Sequence, residues 1–167
     1  MMSKPLLILP WALLLAGCAA EPSRPDPRTP AQPPRNVLAD IRTEAERYRG
    51  AFQVELIREP AIAEAIEASK QAEMRGDRAG AEAALVDALA DPEARQRYAE
   101  LLLARGAAAE AESLAREAYE ASARFGEWCA RSWLTVAEAR LLQGAPNGAR
   151  QARERAGECM PPKVDRY

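Results

Sequence analysis

Three cysteines and the absence of histidine set most of the chemistry open to this chain. The sulfurs stand at Cys18, Cys129 and Cys159. A thiol can be acylated, ligate a metal, attack as a nucleophile or close a disulfide, and its surroundings select among these. Without histidine there is no Ser-His or Cys-His pair, no zinc site with histidine ligands and no imidazole base. No P-loop, dinucleotide-binding glycine pattern or EF-hand loop occurs. Carboxylates are plentiful, but on helix surfaces, where charge usually only solvates. The expectation is a non-catalytic protein with no cofactor and no metal.

Cys18 has the most telling surroundings. It closes the stretch Leu15-Ala16-Gly17-Cys18, which ends an apolar run that follows a weakly basic start at Lys4. The run from Pro5 to Ala20 holds 16 residues and two prolines, against about 20 apolar residues for a membrane span. It therefore reads as a leader. The stretch resembles the lipobox of bacterial lipoproteins. That resemblance implies removal of residues 1–17, acylation of Cys18 on sulfur and nitrogen, and attachment to a bilayer by three chains, where one would hold only marginally. By the same resemblance, Ala19 rather than Asp after the cysteine implies the outer membrane, facing the periplasm. The alternative is an ordinary secreted protein cut after Ala20, because Cys18-Ala19-Ala20 is also a run of small residues.

Residues 18–35 read as a tether behind that cysteine. Six of the chain's 13 prolines fall at 22, 25, 27, 30, 33 and 34. Such a segment favours an extended polyproline II path and reaches roughly 50 Å at about 3.1 Å per residue. The formal net charge is −2 for the whole chain, and losing Lys4 with the leader makes it −3. Nucleic-acid binding therefore has no electrostatic footing.

The remainder reads as all-α. Asn36 can cap a single long helix over 36–60, with Val37, Ile41, Ala45, Tyr48, Phe52 and Leu56 near helical spacing. Gly50 weakens its middle and Pro60 ends it. Helical patterns follow over Ala61–Arg75, Arg78–Ala90, Glu93–Arg105, Ala108–Arg124, Cys129–Gln143 and Asn147–Cys159. Much of the apolar content is alanine, which favours closely packed helices.

Three of the junctions share a pattern of Gly, four residues, then Ala: Gly76 to Ala81, Gly106 to Ala111 and Gly144 to Ala149. Each glycine stands between two helical patterns, so each unit is helix, tight turn, helix. The third unit resembles a tetratricopeptide repeat. Trp133 stands in the tryptophan slot, Ala137 in the small slot where helices cross, and Gly144 in the turn. Ala149 and Ala156 are the small residues of the second helix, and Pro161 the closing proline. Departures are Arg140 and Arg153 in large apolar slots, Ala65 and Ser69 in the first unit, and Arg95 in the tryptophan slot of the second. Tyr98, Ala99, Leu102, Ala111 and Ala118 fit. The resemblance covers 61–162 and implies antiparallel hairpins stacked as a short solenoid, with residues 163–167 as a tail. Ala81, Ala99, Ala111, Trp133, Ala137 and Ala149 are then the packing residues. An irregular helical bundle with alanine-rich seams is the rival architecture.

Within such a hairpin Cys129 begins the first helix and Cys159 ends the second, so the two lie side by side, as a disulfide requires. An oxidising envelope compartment permits the bond. A redox-active pair lacks the C-x-x-C spacing, and two free thiols are the third possibility. Trp128, beside Glu127 and Cys129, stands at a hairpin entrance, where it either packs on the previous hairpin or offers a binding anchor.

By resemblance, the first helices of the hairpins line a concave face. That face would hold Lys70 and Glu73, Gln96 and Glu100, then Arg131 and Glu138, as a mixed polar groove for an extended or helical protein segment. A merely solvated face is the bland alternative. The expected function is a lipid-anchored scaffold or assembly factor binding a protein partner in the cell envelope. The alternatives are a structural or stress-related lipoprotein without a dedicated partner, and an activator of a cell-wall enzyme.

Overall fold

The computed structural model describes residues 35–50 and 57–161. The leader, Cys18, the tether up to residue 34 and the 163–167 tail lie outside the described residues, while Arg35, expected to end the tether, belongs with the helical unit. Among the described residues every regular element is helical, and no helix is long and apolar enough to cross a membrane.

Seven α-helices follow in order: α1 Val37–Ala45, α2 Pro60–Met74, α3 Arg78–Leu85, α4 Pro92–Ala104, α5 Ala108–Ala121, α6 Gly126–Leu142 and α7 Pro146–Gly157. The last six pair as three antiparallel hairpins, α2 with α3, α4 with α5, and α6 with α7, and successive hairpins stack. Helix starts follow local chemistry. Pro60, Pro92 and Pro146 open α2, α4 and α7, at the position whose N–H would be unpaired in any case. Asp91 caps α4 by accepting from the amides of Glu93 and Ala94, and Asp77 caps α3 through Gly80.

The three Gly-x4-Ala patterns are three copies of one turn. Gly76, Gly106 and Gly144 have φ of 77°, 87° and 73°, a left-handed conformation costly for residues with a Cβ. Each glycine amide donates three residues back, to Glu73, Leu103 and Leu141, and the next amide donates five back, to Ala72, Leu102 and Arg140. This pair of bonds is the Schellman closure of a helix C-terminus. The alanine five residues after each glycine then makes the first turn of the second helix, its amide donating to Asp77, Ala107 or Ala145. Ala81, Ala111 and Ala149 are buried there, as are Ala99 and Ala137 on the first helices of the second and third hairpins. Trp133 is half-buried against Tyr119, with ring centroids 5.0 Å apart.

The single long helix expected over 36–60 is not what forms. After α1 comes one 3-10 turn, Glu46–Tyr48, and Arg49 is extended at φ −68° and ψ 111°. Gly50 is a poor helix former, and leaving the helix lets Arg49 pair with Glu127 of α6 at 2.8 Å. Tyr48 packs on the core formed by α4, α5 and α6. The expected stripe residues Phe52 and Leu56 lie outside the described residues. α1 is too short to be stable alone. It is held by tertiary contact with α6 and α4, through the buried side chains of Ile41 and Ala45.

Candidate functional site

The first helices of the hairpins carry the six residues expected to form a groove. Lys70 stays at the surface, where it faces Glu67 at 3.5 Å. Glu73 is mostly covered. Gln96, Glu100, Arg131 and Glu138 are buried, so this layer is not an open groove. The reason is α1, which lies over α4 and α6 and closes the face with Arg42, helped by Arg35 just before the helix.

Glu100 is the centre of the layer, with 0% of its surface exposed. Arg131 grips it as a fork, Nε to Oε1 at 2.8 Å and Nη2 to Oε2 at 2.7 Å. Gln96 donates to Oε1 at 3.1 Å and to Thr135 at 2.8 Å. Arg42 of α1 completes the shell, Nε to Glu100 at 2.9 Å and Nη1 to Glu73 at 2.7 Å. Burial by itself raises the pKa of Glu100. The charge and hydrogen bonds of Arg131, then the charge of Arg42, outweigh it and hold the carboxyl at about 2. Arg42 loses solvation as well, yet Glu100 and Glu73 raise its pKa above the usual value. A buried carboxylate with this many partners is a structural centre. Removing one partner would leave uncompensated charge in the interior.

A second cluster seals the other side of α1. Glu138 accepts from Arg35 at 3.0 and 3.2 Å and also pairs with Arg153 of α7. Arg153 reaches Glu44 of α1 at 3.6 Å. Arg153 and Arg140, which depart from the repeat pattern, are thus both in ion pairs, Arg140 with Glu112 at 2.8 Å. Arg95, in place of the second unit's tryptophan, donates to the Leu89 and Glu117 carbonyls.

Cys129 and Cys159 lie against each other with a Cα–Cα distance of 5.7 Å and sulfurs at disulfide distance. The Gly126 amide donates to the Cys159 carbonyl beside them, tying the start of α6 to the end of α7. Among the described residues no group of His, Cys, Asp and Glu side chains is arranged to hold a metal.

A cleft of about 540 Å³ opens beside the ion-pair layer, between α4, the end of α5 and the start of α6. Trp128 stands in its wall. The Arg131 guanidinium lies 4.2 Å from the indole centroid and that of Arg97 at 5.5 Å, both in cation–π range. Burial, then the charge of Arg131, lowers the pKa of Arg97. Neither Arg97 nor this cleft was legible in the sequence, because its walls come from segments far apart in the chain. Trp128 at the hairpin entrance was the one local signal.

Stacked helical hairpins, closed over by a short N-terminal helix through buried ion pairs, define an all-α, helical-repeat-like domain. No family model matches the chain, and no curated protein matches it. Among solved structures, the globular C-terminal domain of P. aeruginosa LpoP is similar, with a TM-score of 0.56 and 30% sequence identity, over 60% of this chain and 99% of that one. The chain belongs to the family of that LpoP domain.

Proposed function

We propose that the protein is a lipid-anchored lipoprotein of the bacterial envelope whose helical domain binds another protein without catalysing a reaction. The observation that carries the reading is the kinship with the LpoP domain. As there, a globular helical domain stands at the C-terminal end of a longer chain. In this chain an apolar leader ending in Leu15-Ala16-Gly17-Cys18 and a proline-rich stretch precede it. In this reading Cys18 carries the lipid, the leader is removed and residues 18–34 hold the domain away from an outer membrane, on its periplasmic side. Cys129 and Cys159 form a disulfide in that oxidising compartment and brace the last hairpin. Within the same proposal, the stacked hairpins are tetratricopeptide-like.

The partner surface proposed here differs from the polar groove expected of the first helices. α1 covers Gln96, Glu100, Arg131 and Glu138, so a partner would meet α1 or the cleft beside Trp128. A second reading, in which the partner is a cell-wall enzyme that the domain activates, is favoured by the tether, whose extended reach of roughly 50 Å would carry the domain well off the lipid. It differs from the first only in who the partner is.

Crosslinking in intact cells, followed by purification from the membrane fraction, tests the proposal, with Cys18→Ser as control. Enrichment of one envelope protein, reduced when Cys18→Ser abolishes anchoring, is the expected result. Recovery of nothing beyond abundant lipoproteins from well-anchored protein would leave the structural, partnerless lipoprotein as the better account.

A further inference from the structure

The cleft beside Trp128 combines three features that its neighbours do not explain. Arg97 is largely buried and binds Glu93 through Nε at 3.0 Å, yet its two terminal nitrogens have no hydrogen-bond partner among the described residues. Glu93 is shared, since Arg58 takes its other oxygen at 2.9 Å. Gln96 lines the same cleft, is 1% exposed, and its Oε1 has no hydrogen-bond partner among the described residues. An unpaired buried acceptor is costly, and a donor entering the cleft would relieve that cost. The third feature is charge. Four arginines line the cleft, Arg49, Arg58, Arg97 and Arg131, against two glutamates, Glu93 and Glu127. Both glutamates are already in ion pairs. Arg58 and Arg131 are themselves paired with Asp91 and Glu100, so an incoming anion would meet the outer edge of Arg97 and a tryptophan face rather than free carboxylates.

We propose that this cleft is the docking site for an acidic segment of the protein partner, with a partner carboxylate on the outer edge of Arg97, a partner backbone N–H on Gln96 Oε1, and partner side chains against Trp128. The proposal rests on the protein-binding function argued above. A peptide supplies both groups at once, a carboxylate and an amide donor a few ångströms apart, which a lone inorganic anion does not. The arrangement also explains why two guanidinium groups share one indole. The π-face offsets part of their mutual repulsion, and a carboxylate would offset more.

Random dodecapeptides displayed on phage, selected against the mature chain carrying Cys18→Ser, provide the test. The expected outcome is enrichment of peptides with Asp or Glu at a common position. That enrichment should fall at least tenfold against Arg97→Gln, and recover in part with Arg97→Lys. Ala121→Glu is the second variant. Ala121 is an exposed residue at the end of α5 that lines the cleft, so a carboxylate there repels an acidic peptide without entering the core. It should cause a similar loss even if Arg97→Gln unfolds the domain. No enrichment, enrichment without an acidic position, or equal retention by Ala121→Glu would overturn the proposal. The crosslinking experiment repeated with Ala121→Glu separates this failure from that of the function itself. A partner captured equally well by wild type and Ala121→Glu removes the cleft and leaves partner binding intact, whereas no partner captured by wild type removes partner binding.

Discussion

Arg42, on the first helix, hydrogen-bonds at 2.9 Å to Glu100, 58 residues away and fully buried on α4. Glu100 is at the same time held by Arg131 of α6. One carboxylate therefore joins α1, α4 and α6, and through the second branch of Arg42 to Glu73 also α2. Replacing Glu100 by Gln keeps the shape and removes the charge, leaving Arg131 and half-buried Arg42 short of a counterion. Breaking a buried pair this way costs roughly 3–5 kcal/mol. Urea unfolding of Glu100→Gln should show a loss of that size. Hydrogen exchange at equilibrium should show α1 losing protection beyond what the global loss requires. A loss under 1 kcal/mol would mean that the layer is dispensable.

The same carboxylate gives the domain an acid limit. Its folded pKa of about 2 lies below the ordinary 4.5, so its contribution is complete above pH 4.5 and is lost as pH falls from there toward 2. One pKa unit is about 1.4 kcal/mol, which makes the contribution on the order of 3 kcal/mol. The urea midpoint should fall steeply between pH 5 and pH 2.5 in wild type, and less steeply in Glu100→Gln. Parallel slopes in the two proteins would refute the assignment.

Joining Cys129 and Cys159 closes a loop with a sequence separation of 30. In the chain-entropy picture that stabilises by about 3–4 kcal/mol. Thermal unfolding with and without a reducing agent should therefore differ for wild type and coincide for Cys129→Ser. If the reductant leaves wild type unchanged while mass spectrometry shows both thiols free, the bond contributes nothing measurable.

Gly106 isolates the cost of the repeated turn. A Cβ placed there meets nothing within 4 Å, and φ is +87°, so Gly106→Ala adds strain without a clash. The expected cost is about 1–2 kcal/mol. A chemical denaturation curve checks it, and a neutral result would mean the turn relaxes to a different closure.

The parts of this protein legible in its sequence are those built from neighbours in the chain. Gly76, Gly106 and Gly144 announced three turns because a left-handed closure selects glycine within one helical turn of the break. The alanines five residues later announced the seams, because a small side chain at a fixed offset is a local constraint. Helix starts at Pro60, Pro92 and Pro146 fall within a residue of the expected boundaries for the same reason. The helix expected across Gly50 ends before it, because periodicity over-reaches. Val37, Ile41, Ala45 and Tyr48 keep helical spacing, but only tertiary contact shows that the helix ends and that Arg49 turns toward Glu127.

The occupant of the polar face was decided by tertiary structure alone. Gln96 and Glu100 lie on α4 and Arg131 and Glu138 on α6, and the repeat resemblance implied that these first helices share a face. What covers them is set by which arginine reaches Glu100 across 58 residues, and charge pairing at that separation leaves no mark in a local pattern. The cleft arises the same way, from Arg97, Trp128 and Arg49 on segments that meet only when the hairpins stack. Short-range constraints wrote the turns and helices into the sequence. The balance of desolvation against long-range charge, settled only in the packed interior, decided what those helices enclose.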